Sequence, residues 1–425
     1  MRVVTCAAPT NIAVVKYWGK RDVALNTPLN ASLSVTLHED QLRATTSIAS
    51  DATLQRTRLW LNGQEQPLPD RVATVLQQMQ QWAERVRGAP ADATRALHIA
   101  SVNSFPTAAG LASSAAGYAC LVAALAELYG LSTADEEFPG QLSAIARQGS
   151  GSACRSLHGG FVAWREGRRP DGRDSIAEPV ADARHWPELR ALVCVVSDRR
   201  KDTSSTDGMQ RTAATSQLLT YRVQHVVADR LAAMERAVAA RDFAAFATLT
   251  MRDSNQFHAT CLDSMPPLFY LNETSRALIR LVHRYNECAG RVQAAYTFDA
   301  GPNAVLFCEE QHVQELVALV CHCFGRSSSP VPIESSVTFD RTPAPALLER
   351  MQFPSAGGGD GAVERLPHVP DGLKRMYVSR VGGGTRVLAA DEALIDAATG
   401  EPLPSRTATL RSAAVAVTSA VLLRK

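Results

Sequence analysis

Asn103-Ser-Phe-Pro-Thr-Ala-Ala-Gly-Leu-Ala-Ser-Ser-Ala-Ala-Gly117 carries no acid, no base and no histidine, and it runs directly into an Ala- and Leu-rich stretch that ends at Tyr129. With almost no charge from Ser113 to Tyr129, the pattern predicts a helix buried on most sides. A glycine-containing loop that enters a helix brings unpaired backbone N–H groups and the helix dipole to one point, which suits a phosphate. Small side chains let that phosphate come close. Ser113 and Ser114 add hydroxyls, one for a phosphate oxygen and one for a Mg²⁺ ion. The same composition also serves tight helix packing, and neither the GxxxxGK[ST] spacing nor GxGxxG is met.

Working outward, a second small-residue loop, Gly149-Ser-Gly-Ser-Ala-Cys-Arg155, ends in a guanidinium suited to a carboxylate or phosphate. Two such cradles suggest two phosphorylated ligands, although this loop would also serve as a solvent turn. Asn11-Ile-Ala-Val-Val-Lys-Tyr-Trp-Gly-Lys-Arg-Asp22 sets Lys16 and Lys20 four apart, on one face if the segment is helical but not if it is extended. In Thr297-Phe-Asp-Ala-Gly-Pro-Asn303, Asp299 either caps its own turn or aims a carboxylate into a cleft between domains. Ser204-Ser-Thr206, with Arg199-Arg-Lys201 nearby, is a weaker hint of anion binding on a loop after a strand.

The chain of 425 residues is long enough for two domains, with a boundary expected near 190. Ala31 to Leu37, Leu59 to Leu61 and Leu97 to Val102 read as strands, with Asn62-Gly63 as a hairpin turn. Leu68 to Arg87 reads as a helix with Asp70 at its N-cap, and Leu142 to Arg147 as another. Pro170 to Pro187 is polar and turn-rich, and Leu189 to Val196 looks like a central strand. Gln217 to Met251 is helical with a break at Arg241-Asp242, and Leu271 to Tyr285 is helical again. Val292 to Thr297, the turn around Asp299 and Val305 to Cys308 read as strand, turn, strand, and a last strand lies around Met376 to Val381 beside the Gly382-Gly-Gly384 turn. Gly357-Gly-Gly359 with Asp360 reads as a flexible loop.

Apolar residues at 46%, charged residues at 20% and a net charge of +2 fit a soluble globular chain and fall short of the basic balance that points to nucleic acid. Nine cysteines without CxxC pairs, including Cys321 and Cys323 around His322, read as reduced core thiols. His258 and His283 read as structural. The N-terminus lacks a signal-peptide pattern, and Ala413 to Leu423 is shorter than the roughly 20 residues that span a bilayer.

Lys16-Tyr-Trp-Gly-Lys-Arg-Asp22, Phe105 to Gly117, Gly149 to Ser156, Asp253-Ser-Asn-Gln-Phe-His-Ala-Thr-Cys-Leu-Asp263 and Tyr296 to Ala304 together resemble the diphosphomevalonate decarboxylase family of the GHMP kinase superfamily. The likeness runs in order over about residues 3 to 400. It implies an α+β, GHMP kinase-like two-domain fold: residues 1–190 related to the ribosomal protein S5 domain 2-like fold, an α+β domain at 191–400, and the active site in the cleft between them. The tail 401–425 finds no match. The implied activity is ATP-dependent decarboxylation of (R)-5-diphosphomevalonate to isopentenyl diphosphate, by phosphorylation of the C3 hydroxyl and then loss of phosphate and CO2.

By the same resemblance Asp299 orients or deprotonates the C3 hydroxyl, Arg155 holds the substrate carboxylate, Lys16 neutralises the transferred phosphoryl and Asn11 hydrogen-bonds near the reacting centre. Substrate contacts fall to Tyr17, Trp18, Gly19, Lys20, Arg71, Ser150, Gly151, Ser152, Ala153, Cys154, Arg155 and Thr206. The ATP phosphate loop comprises Pro106, Thr107, Ala108, Ala109, Gly110, Leu111, Ala112, Ser113 and Ser114, with Ser113 or Ser114 on Mg²⁺. ATP and Mg²⁺ are thus expected, as are a homodimer and a cytoplasmic setting, with delivery to an organelle left open. Gly-Leu-Ala-Ser-Ser in place of Gly-Leu-Gly-Ser-Ser, and Asp299 in place of a Gly-rich third motif, set the sequence apart from the superfamily's kinases. A kinase that stops at the phosphorylated product, and a silent nucleotide-binding relative, are the rival readings.

Overall fold

The computed structural model describes residues 1–88, 96–105, 113–199, 202–326, 328–351 and 366–404. The expected phosphate loop Pro106 to Ala112, Lys201 beside Ser204, the glycine loop at 357–360 and Ala413 to Leu423 lie outside the described residues.

A six-stranded sheet runs Arg386–Val387, Arg2–Pro9, Arg43–Ser50, Leu97–Asn103, Arg58–Leu61, Gln64–Gln66. Its strands pair antiparallel except where Arg58–Leu61 meets Leu97–Asn103. The Asn62-Gly63 hairpin forms as its dipeptide dictates, with φ of 53° at Asn26 elsewhere but 49° and 77° here, the two left-handed positions of a type I′ turn. One apolar core joins this sheet to the helices Asp70–Arg87 and Ser113–Tyr129 through Ile48, Leu59, Val75, Met79, Ala119 and Leu125. Asp70 is not the N-cap. Pro69 takes that place, extended at ψ 147°, and its carbonyl accepts the Val72 and Ala73 N–H groups, so Asp70 sits inside the first turn, where its charge favours the dipole.

A four-stranded antiparallel sheet follows the order Ala177–Ala181, Phe161–Trp164, Ser32–Thr36, Asn11–Val15. Its edge strand falls inside the segment expected to be turns. Glu178 and Pro179 are exposed there, and an edge tolerates a proline, so the stretch carries no alternating apolar signal. A five-stranded sheet runs Ala294–Phe298, Ala304–Glu309, Leu189–Val195, Arg375–Arg380, Ile333–Glu334, with Leu189–Val195 paired on both sides as its apolar run predicts.

The helices Val227–Ala240 and Phe243–Leu262 separate where expected: Arg241 turns left-handed at φ 51°, and the Asp242 carboxylate caps Ala245 N–H at 3.0 Å. A further break at Val226 ends the helix Gln217–His225. The largest core takes Leu33 and Val35 from the four-stranded sheet, Val193 and Tyr296 from the five-stranded one, and Phe246 and Ala247 from Phe243–Leu262. This helix touches both Asn11–Val15 and Ala294–Phe298, so strands far apart in sequence end side by side. All nine cysteines are free thiols, seven of them buried. Among the described residues no helix is long and apolar enough to cross a membrane.

Candidate active site

The ends of these elements enclose a cavity of 350 Å³ lined by Asn11, Lys16, Tyr17, Trp18, Lys20, Arg71, Ser113, Ser114, Ser150, Gly151, Ser152, Arg155, Thr206 and Asp299, among others. Four motifs separated by up to nearly three hundred residues thus meet in one space.

Lys16 follows the strand Asn11–Val15, so it is neither on a helix nor on a shared face with Lys20. Its ammonium is 2.6 Å from Asp299 Oδ1, with the lysine side chain buried and the carboxylate about one-third exposed. Asp299 begins the turn that joins Ala294–Phe298 to Ala304–Glu309. Asn303 and Ser275 hold the far side of that turn: Asn303 Oδ1 accepts the Val196 and Ser197 N–H groups, and Ser275 Oγ donates to the Pro302 carbonyl at 2.7 Å. The turn is therefore built without the Asp299 side chain capping it. The carboxylate stays available to the cavity.

Beneath Lys16, Asp253 accepts its backbone N–H at 2.6 Å, and Arg222 donates to its carbonyl at 2.9 Å. Burial acts against the charge of Asp253, but Arg222, with hydrogen bonds from Arg222, Lys16 and Arg230, holds its carboxyl below the usual range. The carboxylate is therefore ionised in place.

Arg155 ends the turn of helix Ala153–Ser156 and is 2% exposed. Its Nε donates to Asn11 Oδ1 at 3.1 Å and its Nη1 to Ser32 Oγ, while the Tyr17 and Trp164 rings lie 5.8 and 5.9 Å from its guanidinium carbon. Among the described residues it makes no ion pair, and its Nη2 donates no hydrogen bond to any of them. Burial pulls its pKa down, outweighing the Cys154, Tyr17 and Asp299 groups that act to raise it. Asn11 in turn donates to Ser156 Oγ at 2.8 Å and to the Ser152 carbonyl at 3.1 Å, tying the first strand to the second loop. Loss of solvent around the half-buried Tyr17 phenol pushes its pKa up to about 12, so it stays neutral.

Lys20 and Arg71 line the same cavity, neither in an ion pair among the described residues, and burial first, then the Arg71 charge, pulls Lys20 down to about 8. Two cations facing one space call for an anion. Ser114 Oγ lies 3.2 Å from Ser150 Oγ, so the two small-residue loops meet at the start of the buried helix. Thr206 sits in the first turn of the helix Ser205–Thr215, whose N-cap is Ser204, its Oγ accepting Asp207 N–H at 3.1 Å. Ser113 and Ser114 also line a second, mainly apolar cavity of 270 Å³ with Leu59, Leu61, Val72, Ile99, Tyr118 and Leu121.

Three expected contact residues do not line the cavity. Gly19 adopts φ +87°, and a Cβ there would lie 2.5 Å from Leu29 Cδ1, so its place in the motif is conformational. Ala153 is buried, and Cys154 packs against Val162 and Trp164 with its thiol donating to the Gly151 carbonyl. Burial pushes that thiol up to about 12, which leaves it unreactive. Trp18 reaches the cavity wall but is 2% exposed, packed on Phe257 and Tyr270, with its indole N–H donating to Thr212 Oγ1 at 2.9 Å. His258 is buried and kept neutral, its pKa drawn to about 3 by burial and then by Lys16. His283 pairs its Nε2 with the Tyr296 hydroxyl at 3.1 Å.

Sequence reasoning passed over Ser32, Asp253 and Arg222, which position Arg155 and Lys16. Asp253 lay inside a quoted motif, and an acid within an apolar helical stretch was a signal for a buried partner. Ser32 and Arg222 left no local trace. For a cation, the hydroxyls of Ser113 and Ser114 are hard oxygen donors of the kind Mg²⁺ accepts. Among the described residues no group of three His, Cys, Asp or Glu could hold a metal.

A family model described as the mevalonate 5-diphosphate decarboxylase C-terminal domain matches residues 191–388, and one for the diphosphomevalonate decarboxylase-like N-terminal domain matches residues 8–177. Diphosphomevalonate decarboxylase of Ganoderma lucidum is 48% identical over 404 residues, 92% of this chain and 97% of its own. The Homo sapiens protein of that name is 47% identical over 395 residues, covering 91% and 94%. Among solved structures, a mevalonate 5-diphosphate decarboxylase superposes with TM-score 0.81 at 44% identity, covering 94% of this chain and all of that one. The Trypanosoma brucei mevalonate diphosphate decarboxylase gives 0.79 at 36%, covering 93% and 100%. MDDEF in complex with MVAPP, AMPPCP and magnesium gives 0.67 at 29%, covering 91% and 99%. With both halves matched in order and the charged cavity lying where the two meet, the chain belongs to the diphosphomevalonate decarboxylase family.

Proposed function

We propose that this chain converts (R)-5-diphosphomevalonate and ATP to isopentenyl diphosphate, ADP, phosphate and CO2. The observation that carries the reading is the Lys16–Asp299 pair in one cavity with the buried Arg155 guanidinium, which makes no ion pair among the described residues, and the start of the Ser113–Tyr129 helix.

The substrate is a dianion-like head and a carboxylate joined through a tertiary alcohol, and the cavity offers a match for each part. Lys20 and Arg71 receive the diphosphate, together with the hydroxyls of Ser150, Ser152 and Thr206. Arg155 turns its free Nη2 to the carboxylate, while Asn11 and Ser32 hold the guanidinium in place. Asp299 accepts the C3 hydroxyl proton and Lys16 neutralises the phosphoryl group as it moves to that oxygen. Phosphorylated, the C3 oxygen leaves with its electron pair, and the C–CO2⁻ bond supplies the electrons of the new double bond. CO2 departs. Burial of Arg155 keeps water from competing for the carboxylate.

The loop before Ser113 and the first residues of the helix hold the ATP phosphates, and the apolar cavity beyond Ser113 and Ser114 takes the nucleoside. Ser113 or Ser114 gives a hydroxyl to Mg²⁺. When bound, that ion neutralises charge across the phosphate oxygens. The complex of MDDEF with MVAPP, AMPPCP and magnesium supports this ligand set. We further propose, from the family resemblance of its motifs, that the chain works as a cytoplasmic homodimer in isoprenoid and sterol synthesis, with sedimentation of the purified protein as the check on the dimer.

Incubation with ATP, Mg²⁺ and the diphosphate substrate, following ADP and CO2 together, tests the reading. One CO2 per ADP supports it. ADP without CO2 identifies a kinase, and neither product refutes it.

A further inference from the structure

Lys16 and Asp299 come from opposite halves of the chain, yet their side chains meet at 2.6 Å. One helix touches both. On Phe243–Leu262, Asp253 accepts the Lys16 N–H at 2.6 Å, and the next residue, Ser254, accepts the Phe298 N–H at 3.1 Å through its buried Oγ. Phe298 immediately precedes Asp299. Asn255 accepts the Tyr296 hydroxyl at 3.1 Å, fixing the same strand two residues earlier. His258, one turn further along, packs its ring 6.2 Å from that of Phe298 and interacts with the Phe298 backbone. Asp253 is itself locked by Arg222 and Arg230 at 2.8 and 2.9 Å, all three buried or nearly so.

We propose that Asp253 and Ser254 are positioning residues, adjacent acceptors on one helix that set the Lys16 and Asp299 backbones in register and so fix the distance between the reacting pair. The inference rests on the reading of Asp299 and Lys16 as that pair. A helix suits the task because its side chains are spaced by a rigid backbone, and it reaches both Lys16, just past the end of one strand, and Phe298, the last residue of another before the Asp299 turn. A misplacement approaching 1 Å costs about 10²-fold in rate, so loosening one tether must show in turnover rather than in binding.

Ser254→Ala removes the acceptor for Phe298 N–H and nothing that touches ligand. Its kcat is expected to fall about 10- to 100-fold, with KM for ATP and for the diphosphate substrate within about threefold, and Ser254→Thr, which keeps the hydroxyl, should restore most of the rate. Thr250→Ala is the control: on the same helix, buried, bonded only to the Phe246 carbonyl, it loses stability without moving kcat. If Ser254→Ala does not fold, Tyr296→Phe loosens the same strand through Asn255 and must lower kcat in the same way. Wild-type kcat in folded Ser254→Ala, a matching loss in Thr250→Ala, or a loss confined to KM would each overturn the proposal. Asp299→Asn, run alongside, separates the two failures: if it is inactive while Ser254→Ala is normal, the tether alone is wrong, and if it is fully active, the reading of the pair falls first and the tether with it.

Discussion

Arg155→Gln tests the site through two quantities that should move apart. In the free protein Arg155 is a buried cation without an ion-pair partner, held by Asn11 Oδ1 and Ser32 Oγ. Losing those two bonds to a charged group removes about 1.5–3 kcal/mol each, while relief of a buried charge returns several kcal/mol. The two nearly offset, so the ligand-free variant is expected to unfold close to the wild-type temperature. With substrate the balance reverses. Two hydrogens on Nη2 giving charge-assisted bonds of about 1.5–3 kcal/mol each to the carboxylate put the loss near 3–6 kcal/mol, or roughly 10² to 10⁴ in kcat/KM. Substrate at 100 times the wild-type Kd stabilises wild type by about 2.7 kcal/mol and should stabilise the variant by well under 1 kcal/mol. Thermal unfolding with and without the diphosphate substrate, paired with steady-state rates, reads both. A variant within tenfold of wild-type kcat/KM, or one stabilised equally by substrate, would refute the assignment of Arg155 to the carboxylate.

Asp299→Asn should reduce kcat by about 10²- to 10⁴-fold while ATP binding persists, since the amide keeps shape but not basicity; isothermal titration with an ATP analogue and a rate within tenfold of wild type are the supporting and opposing readouts. Lys20, drawn to about 8 by burial and then Arg71, loses its proton as pH rises through that value, so kcat/KM for the diphosphate substrate should fall on the alkaline side. Arg71→Met removes the smaller of the two causes and should move that limb upward without carrying it to the ordinary lysine value; a profile flat to about pH 9.5 in the wild type would count against Lys20 as a diphosphate ligand. Gly19→Ala forces a Cβ to within 2.5 Å of Leu29 at φ +87°, and should lower unfolding free energy by about 1–3 kcal/mol, read from urea unfolding.

What could be read without coordinates was whatever is written locally. The run from Ser113 to Tyr129, with Glu127 its only charge, had to be a buried helix, Asn62-Gly63 had to be a tight hairpin, and Leu189 to Val195 had to be an interior strand, because each rests on neighbours within a few residues. Even the edge strand Ala177–Ala181 was missed for a local reason: edges admit Glu and Pro, so nothing in its composition marks it. The small-residue loops, the lysine pair and Asp299 were legible as chemistry, and so was the family they resemble.

The tertiary structure alone decided which of those groups face one another. Lys16, just past the strand Asn11–Val15, meets the Asp299 carboxylate, while Lys20, at the start of the strand Lys20–Asp22, feels Arg71; Gly19 and Cys154, between or beside ligand-facing residues, serve backbone shape and packing instead. Ser32, Arg222 and Asp253 act across 123, 206 and 237 positions of sequence, distances over which no periodicity or motif carries information. Secondary structure follows from short-range sterics and patterned apolarity, whereas a site is a coincidence of distant strand and helix ends, fixed only once the buried core has chosen how the sheets pack.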